Sequence, residues 1–171
     1  IVVHSRKDCV KYFKEVNKAQ DFFFYKDIFC PKNKIKILPL TLGDLSEINI
    51  TQLDDFLKSD IYIVFGSSYI KGKLCDYLIR NRAINIHMGL SPFYRGTDCN
   101  FWALMDGNFK HVGSTIHYLS DGLDNGDIIY HALPKYFENP FLFTMSSVKS
   151  AIDSLVFKIK NKTIINKKGI K

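Results

Sequence analysis

In the run Ala83-Ile84-Asn85-Ile86-His87, an amide and an imidazole stand two positions apart. Strand side chains alternate with period two, so a strand here projects Asn85 and His87 from one side. The amide can donate to a developing negative charge. The imidazole can stabilise that charge as a donor or shuttle a proton. Further on, the loop Asp121-Gly122-Leu123-Asp124-Asn125-Gly126 follows a second strand candidate with two carboxylates. A carboxylate beside the imidazole would orient it, raise its pKa and pass protons through an ordered water. The plainer alternatives are a strand-end turn at Asn85, a hydrogen-bonded core histidine at His87, and an ordinary hairpin at Asp121–Gly126. The loop lacks the alternating ligands and terminal glutamate of a calcium site, so no metal is expected.

These groups need a sheet whose strands end together, where α/β folds place their ligands. Ile61–Phe65 is a continuous β-branched and aromatic run, as in a central parallel strand buried on both faces. It ends in Gly66-Ser67-Ser68. Ile84–His87, Val112–Leu119 and Asp127–Leu133 are the next strand candidates, with others at Ile1–His4 and Ile35–Leu40. Ser5–Asp8 is a capping signal for a helix with Cys9, Phe13 and Val16 inside; Thr51 and Asp54 suggest a short helix holding Leu53, Phe56 and Leu57. Lys71–Arg80 is a helix with Leu74 and Leu78 on one face. Thr97 or Asp98 caps another that carries Phe101, Trp102 and Leu104 and stops at Asp106-Gly107. Asn139-Pro140 starts a long amphipathic helix through Phe141, Met145, Val148, Ile152, Leu155, Val156 and Ile159. The residues from 160 to 171 form a basic tail or a short final strand.

Taken in order, several motifs resemble the folate-dependent formyltransferase family. They are Asn85-x-His87, Leu90-Ser91-Pro92 with Arg95-Gly96, Gly113-Ser114-Thr115-Ile116-His117, and Asp124-Asn125-Gly126-Asp127-Ile128-Ile129. Their shared order makes the signal specific over residues 60 to 133. The resemblance implies an α/β, Rossmann-like fold: a single domain with a mostly parallel central sheet and helices on both faces. It implies formyl transfer from 10-formyltetrahydrofolate to an amine through a tetrahedral intermediate, with Asn85, His87 and Asp124 catalytic. The folate would be held by Phe65, Gly66, Ser67 and Ile70 and by Asp121, Gly122 and Leu123. The amine substrate would lie near Met88, Gly89, Ser91, Tyr94, Arg95 and Gly96, with Thr115 and His117 beside the site. Asp121 also shapes its loop, Arg95 equally suits the surface, and His4, His111 and His131 have no counterpart in the motifs. Residues 1–59 would be a partial N-terminal Rossmann-like part, 60–133 the catalytic core and 139–160 a covering helix. No glycine precedes Gly43, so the glycine-rich first unit of such folds is missing or was never encoded.

Where the family usually continues Pro-Ser-Leu-Leu-Pro, this chain has Met88-Gly89-Leu90-Ser91-Pro92, closer to members acting on small sugars. A chain of 171 residues has no place for the C-terminal barrel of methionyl-tRNA formyltransferases. The expected acceptor is therefore a small-molecule amine, a nucleotide-linked amino sugar, and not a nucleic acid. Glycinamide ribonucleotide and methionyl-tRNA are the alternatives, as are a formyl-donor hydrolase and a folate-binding scaffold without turnover. The net charge of +7 suits a lysine-rich surface and is compatible with an anionic substrate. Four cysteines without metal spacing suggest reduced, mostly buried thiols. With no signal-peptide pattern and no long apolar run, a cytoplasmic protein free of membranes is expected, and a homodimer is left open.

Overall fold

The computed structural model describes residues 6–24, 36–164 and 168–170. Its elements are α1 (Arg6–Phe24), α2 (Asp44–Glu47), β1 (Ile63–Phe65), α3 (Gly72–Arg80) and β2 (Ile84–His87). There follow α4 (Cys99–Met105), β3 (Ser114–Tyr118), β4 (Ile128–Ala132) and α5 (Pro140–Lys160), with 3-10 turns at Ile50–Leu53 and Phe109–His111. The strands form one sheet in the order β1-β2-β3-β4. β1 pairs with β2 in parallel, while β2–β3 and β3–β4 are antiparallel. The α/β architecture is as expected. Among the described residues, however, the sheet is mixed rather than mostly parallel. A short loop joins β3 to β4, and strands joined so closely must run antiparallel.

The alternation of β2 separates two layers. Ile84 and Ile86 face one side, where they join Ile116, Ile129, Ala151 and Leu155 under α5. Asn85 and His87 face the other side, which α3 shares through Leu74, Cys75 and Leu78 packed with Val64 and Ala83. Helices thus cover both faces, and the polar pair lies on the α3 face.

Several local expectations change. β1 is shorter than Ile61–Phe65, and Ile63 and Phe65 are 48% and 44% exposed, so it is not buried on both faces. It pairs only with β2 among the described residues, which leaves its outer side uncovered. Lys36–Leu40 is irregular rather than a strand, and Ile1–His4 lies outside the described residues. The cap at the Ile50–Leu53 turn is Asn49, whose side chain accepts from the Thr51 amide; Thr51 is not the cap. In α1 the inward face runs Cys9, Tyr12, Val16, Ala19, and Phe13 points out at 60% exposure. The large apolar residue lost to helical phase. α4 starts after Asp98, whose side chain makes no capping bond.

α5 begins as the sequence indicates: Asn139 Oδ1 accepts from the Phe141 and Leu142 amides, and Pro140 occupies the first turn. Its buried stripe differs. Phe143, Ser147, Ala151 and Leu155 recur every fourth residue, and Ser146 is buried beside them, while Val156 is 42% exposed. Small side chains let the helix approach the sheet, and a buried polar network holds it there. Asn100 Nδ2 donates to Ser147 Oγ at 2.8 Å, and Asn100 Oδ1 accepts from the Gly113 amide at 2.8 Å. Ser114 Oγ donates to the Ser147 carbonyl at 3.1 Å. Asn100→Ala would strand the Gly113 N–H in the interior, so urea unfolding should show a loss of about 1–3 kcal/mol. A stability equal to the parent's would remove this network from the account of how α4, β3 and α5 dock.

Cys75 and Cys99 are buried free thiols and Cys9 is half-buried. Cys30 lies outside the described residues. The tail returns to the sheet, where Ile170 bridges Ile128 in antiparallel fashion.

Candidate active site

The register of β2 against β3 sets His117 directly opposite Asn85 and Thr115 opposite His87. Amide and imidazole therefore meet a second imidazole across the ladder, on one face of the sheet. The loop after β3 then folds back and brings Asp124 over them. Asp124 itself has φ 46°, a left-handed conformation that short polar side chains tolerate best. Two residues on, a Cβ at Gly126 would collide with the Tyr118 carbonyl, so this return path needs glycine.

The hydrogen bonds fix most proton positions. His117 Nδ1 donates to the Tyr118 carbonyl at 2.8 Å, which leaves Nε2 as an acceptor. Asn85 Nδ2 donates one hydrogen to that Nε2 at 3.0 Å and the other to Asp124 Oδ1 at 3.2 Å. Asp124 Oδ2 accepts from the Gly96 amide at 3.0 Å and lies 3.2 Å from His87 Nδ1. His87 Nε2 donates to the Tyr94 carbonyl at 2.9 Å. Both nitrogens of His87 thus face acceptors, and only the imidazolium satisfies both.

Burial opposes that charge. It pushes the His87 imidazole below its ordinary 6.5, although the Tyr94 carbonyl and the Asp124 carboxylate favour the protonated ring. Burial also pushes the Asp124 carboxyl up, but the His117 and His87 rings in their protonated forms, with the Gly96 N–H, outweigh it and hold the group below 3.8. The result is an ionised carboxylate beside a neutral imidazole whose protonated form already has its partners in place. Such a site can accept a proton and stabilise negative charge on a neighbouring oxygen.

Asn85, His87, His117 and Asp124 border a cavity of about 530 Å³. One wall is Val64 to Ile70, which includes Phe65, Gly66, Ser67 and Ile70; another is Leu119, Ser120, Gly122 and Leu123; a third is Met88 and Gly96 to Asp98. The Tyr69 hydroxyl donates to the Asp121 carbonyl, tying the first wall to the second.

Several expected residues do not line this cavity. Asp121 instead borders a second groove with Asn125 and Gly126, and its backbone carbonyl accepts from the Tyr69 hydroxyl. Gly89 is buried beneath the site, where a Cβ would come within 2.6 Å of His87 Nε2. Ser91 is also buried; its amide donates to Thr115 Oγ1 at 2.9 Å, and Thr115 donates to the Gly89 carbonyl at 2.6 Å. Thr115 therefore pins the turn beside the site. The Tyr94 hydroxyl points away to Asp106 and Asn108, and Arg95 is exposed. His131 donates to the Ser91 carbonyl at 3.0 Å, whereas the buried Nδ1 of His111 has no hydrogen-bond partner among the described residues.

The sequence pointed to the segment from Phe65 to Ile70, Ser68 and Tyr69 included, but not to Val64, Thr97, Asp98, Leu119 and Ser120 on the cavity wall. Adjacency to the strand ends was the signal available for them. It also set His117 beside the site, where the structure has it accepting from Asn85. Among the described residues no group of three or more His, Cys, Asp or Glu side chains is placed to hold a metal ion, and no helix is long and apolar enough to cross a membrane.

The formyl transferase family model matches residues 35–142, more than half of the chain. The methionyl-tRNA formyltransferase of Alkaliphilus oremlandii is 35% identical over 91 residues, 53% of this chain and 28% of that protein. That of Syntrophomonas wolfei is 50% identical over 50 residues, 29% of this chain and 16% of that protein. The chain thus spans less than a third of the curated relatives it matches. Among solved structures, the formyltransferase PseJ from Anoxybacillus kamchatkensis, in complex with UDP-4,6-dideoxy-4-formamido-L-AltNAc and tetrahydrofolate, superposes with a TM-score of 0.57. It is 26% identical and covers 68% of this chain and 62% of that one. A 4-N formyltransferase from Francisella tularensis matches in fold over 98% of this chain and 59% of that one, at TM-score 0.59 and 23% identity. The phosphoribosylglycinamide formyltransferase of Bacillus halodurans gives 0.52 at 25% identity, over 69% of this chain and 60% of that one.

Proposed function

The chain belongs to the folate-dependent formyltransferase family, and on that premise we propose that it transfers a formyl group to the primary amine of a nucleotide-linked amino sugar. The observation that carries this reading is the convergence of Asn85, His87, His117 and Asp124 on one cavity. The formyl donor, 10-formyltetrahydrofolate, supplies an activated one-carbon group at the oxidation level of formate. A cavity of about 530 Å³ is within the range of roughly 300–1,000 Å³ usual for ligands of this size. Its apolar Val64, Phe65, Ile70 and Leu123 and the backbone around Gly66 and Gly122 suit a flat, amide-rich ring. Residues 60–133 would form the catalytic core of a single domain, and the reading is compatible with a cytoplasmic enzyme.

In this mechanism the amine nitrogen bonds to the formyl carbon and its proton passes to the His87–Asp124 pair. The imidazolium so formed sits between the Tyr94 carbonyl and Asp124 Oδ2 and stabilises the charge on the formyl oxygen. Asn85 assists by redirecting one amide hydrogen from Asp124 or His117 to that oxygen. His87 then returns the proton to the departing nitrogen of the donor as its bond to carbon breaks.

The acceptor assignment is supported by the likeness to the sugar-nucleotide complex of PseJ and by the Met88-Gly89-Leu90-Ser91-Pro92 turn. The curated relatives, named methionyl-tRNA formyltransferases, favour a second reading with tRNA as acceptor. A turnover assay with 10-formyltetrahydrofolate separates them. It would offer nucleotide-linked amino sugars, glycinamide ribonucleotide and methionyl-tRNA, with products read by mass. A formyl gain on an amino sugar supports the proposal, and a gain only on methionyl-tRNA replaces it. Folate binding without any product points to a hydrolase or a binding protein.

Tyr69→Phe offers a narrower test of the folate wall. Loss of the hydroxyl bond to the Asp121 carbonyl should weaken tetrahydrofolate binding about fivefold, the size of one ordinary hydrogen bond, and leave kcat near the parent value. Unchanged affinity in a fluorescence titration would place the folate elsewhere.

A further inference from the structure

We propose that Asp98 selects the acceptor: its carboxylate accepts hydrogen bonds from hydroxyls beside the reacting amine and keeps phosphate away from that end of the cavity. This deepens the formyl-transfer reading and rests on it for the kind of acceptor.

Two walls of the cavity already have an occupant in that reading. Val64 to Ile70 and the segment around Gly122 and Leu123 suit the flat ring of the folate. The remaining wall, Met88 with Gly96, Thr97 and Asp98, is left for the second reactant. It adjoins the reacting groups. The Gly96 amide donates to Asp124 Oδ2 at 3.0 Å, which ties Asp98, two residues on, to the catalytic carboxylate. The buried Cys99 thiol reports the same neighbourhood: burial, then the charges of Asp124 and Asp98, push it up to about 11.

The polarity of that wall limits what it can take. Among the described residues, Asp98 and Asp124 are the acidic side chains on the cavity, and no lysine or arginine borders it, in a chain of net charge +7. Asp124 is engaged by Asn85 and Gly96. Asp98 is not. It precedes α4 in a left-handed conformation, φ 54°, and its side chain makes no capping bond. No hydrogen bond or ion pair reaches its carboxylate among the described residues. An aspartate at a helix start ordinarily accepts from the first-turn amides; this one is exposed and borders the cavity instead. A carboxylate only accepts and repels phosphate, so hydroxyls and N–H groups suit it. Thr97, beside it on the wall, adds a hydroxyl that can donate or accept. A sugar ring with a hydroxyl next to its amine fits this pair, with its phosphates outside the cavity.

The test measures transfer from 10-formyltetrahydrofolate to a UDP-linked amino sugar and to its deoxy counterpart lacking the hydroxyl beside the amine. The full chain is compared with Asp98→Asn and Asp98→Gly, because both replacements tolerate the left-handed backbone. The parent should favour the hydroxylated sugar by about tenfold in kcat/KM, the size of one hydrogen bond to a charged group, with the difference carried by KM. Asp98→Gly should lose that preference, and Asp98→Asn should keep part of it through its amide oxygen. Tetrahydrofolate affinity should match the parent's in both. A preference retained in Asp98→Gly overturns the proposal. So does a loss of tetrahydrofolate affinity, which would put the N–H groups of the folate ring at Asp98. Equilibrium binding of the same two sugars separates this inference from the reading beneath it. Binding with the preference but no transfer by the parent sinks formyl transfer and leaves the role of Asp98 standing. Transfer without the preference does the reverse, and no binding of either sugar overturns both.

Discussion

His87→Ala is expected to lower formyl transfer by about 10²–10⁴-fold, the usual contribution of a positioned acid–base group, with tetrahydrofolate affinity nearly unchanged. The ring is 4% exposed and borders the cavity with one edge, so truncation removes the proton acceptor without removing a folate wall. The pH profile gives a second reading. Burial lowers the His87 pKa from 6.5, so the acid limb of kcat/KM should lie below pH 6.5. As pH falls past 6.5 the unfolded chain takes up a proton before the folded one does. His87 therefore costs stability only below that pH and nothing at neutrality. Transfer by His87→Ala at the parent rate would remove His87 from the mechanism, and an acid limb above 6.5 would contradict its buried, neutral resting state.

Asp124→Asn should reduce transfer by about 10²-fold or more and destabilise the fold. The carboxylate accepts from Asn85 on one oxygen and from Gly96 on the other. An asparagine has one acceptor oxygen, so in either orientation its NH₂ faces a donor, the Asn85 amide or the Gly96 N–H. Two buried donors in opposition should cost about 1–3 kcal/mol at pH 7. The folded carboxyl has a pKa below 3.8, so its stabilisation is present above that pH and lost as pH falls through the lowered value. The gap between parent and variant in urea unfolding should accordingly be full at pH 7 and narrow below pH 3.8. The charge also favours the His87 imidazolium, so the acid limb should move further down in the variant. Equal stability at pH 7 with full activity would mean that Asp124 neither holds the loop nor orients the imidazole.

Much of the site was legible because it is local. The alternation Asn85-Ile86-His87 fixes that amide and imidazole share a side and that Ile84 and Ile86 take the other. Asn139-Pro140 fixes where α5 begins, since cap and proline act within one turn. The order of motifs fixes the family. What stayed hidden depends on groups distant in sequence. No local rule sets His117 opposite Asn85; the β2–β3 register does, across 32 residues. Nor does any local rule turn the Tyr94 hydroxyl toward Asp106, show Asp121 to the second groove, or expose Phe13. Apolar size suggested Val156 for the buried stripe of α5, whereas Ala151 and Ser147 lie inside because close approach to the sheet favours small side chains and a satisfied polar network. The sequence by itself determined which residues could do the chemistry and which faces of their own elements they occupy. Only the tertiary structure decided their protonation and partners, because hydrogen-bond geometry and burial arise where separate segments meet.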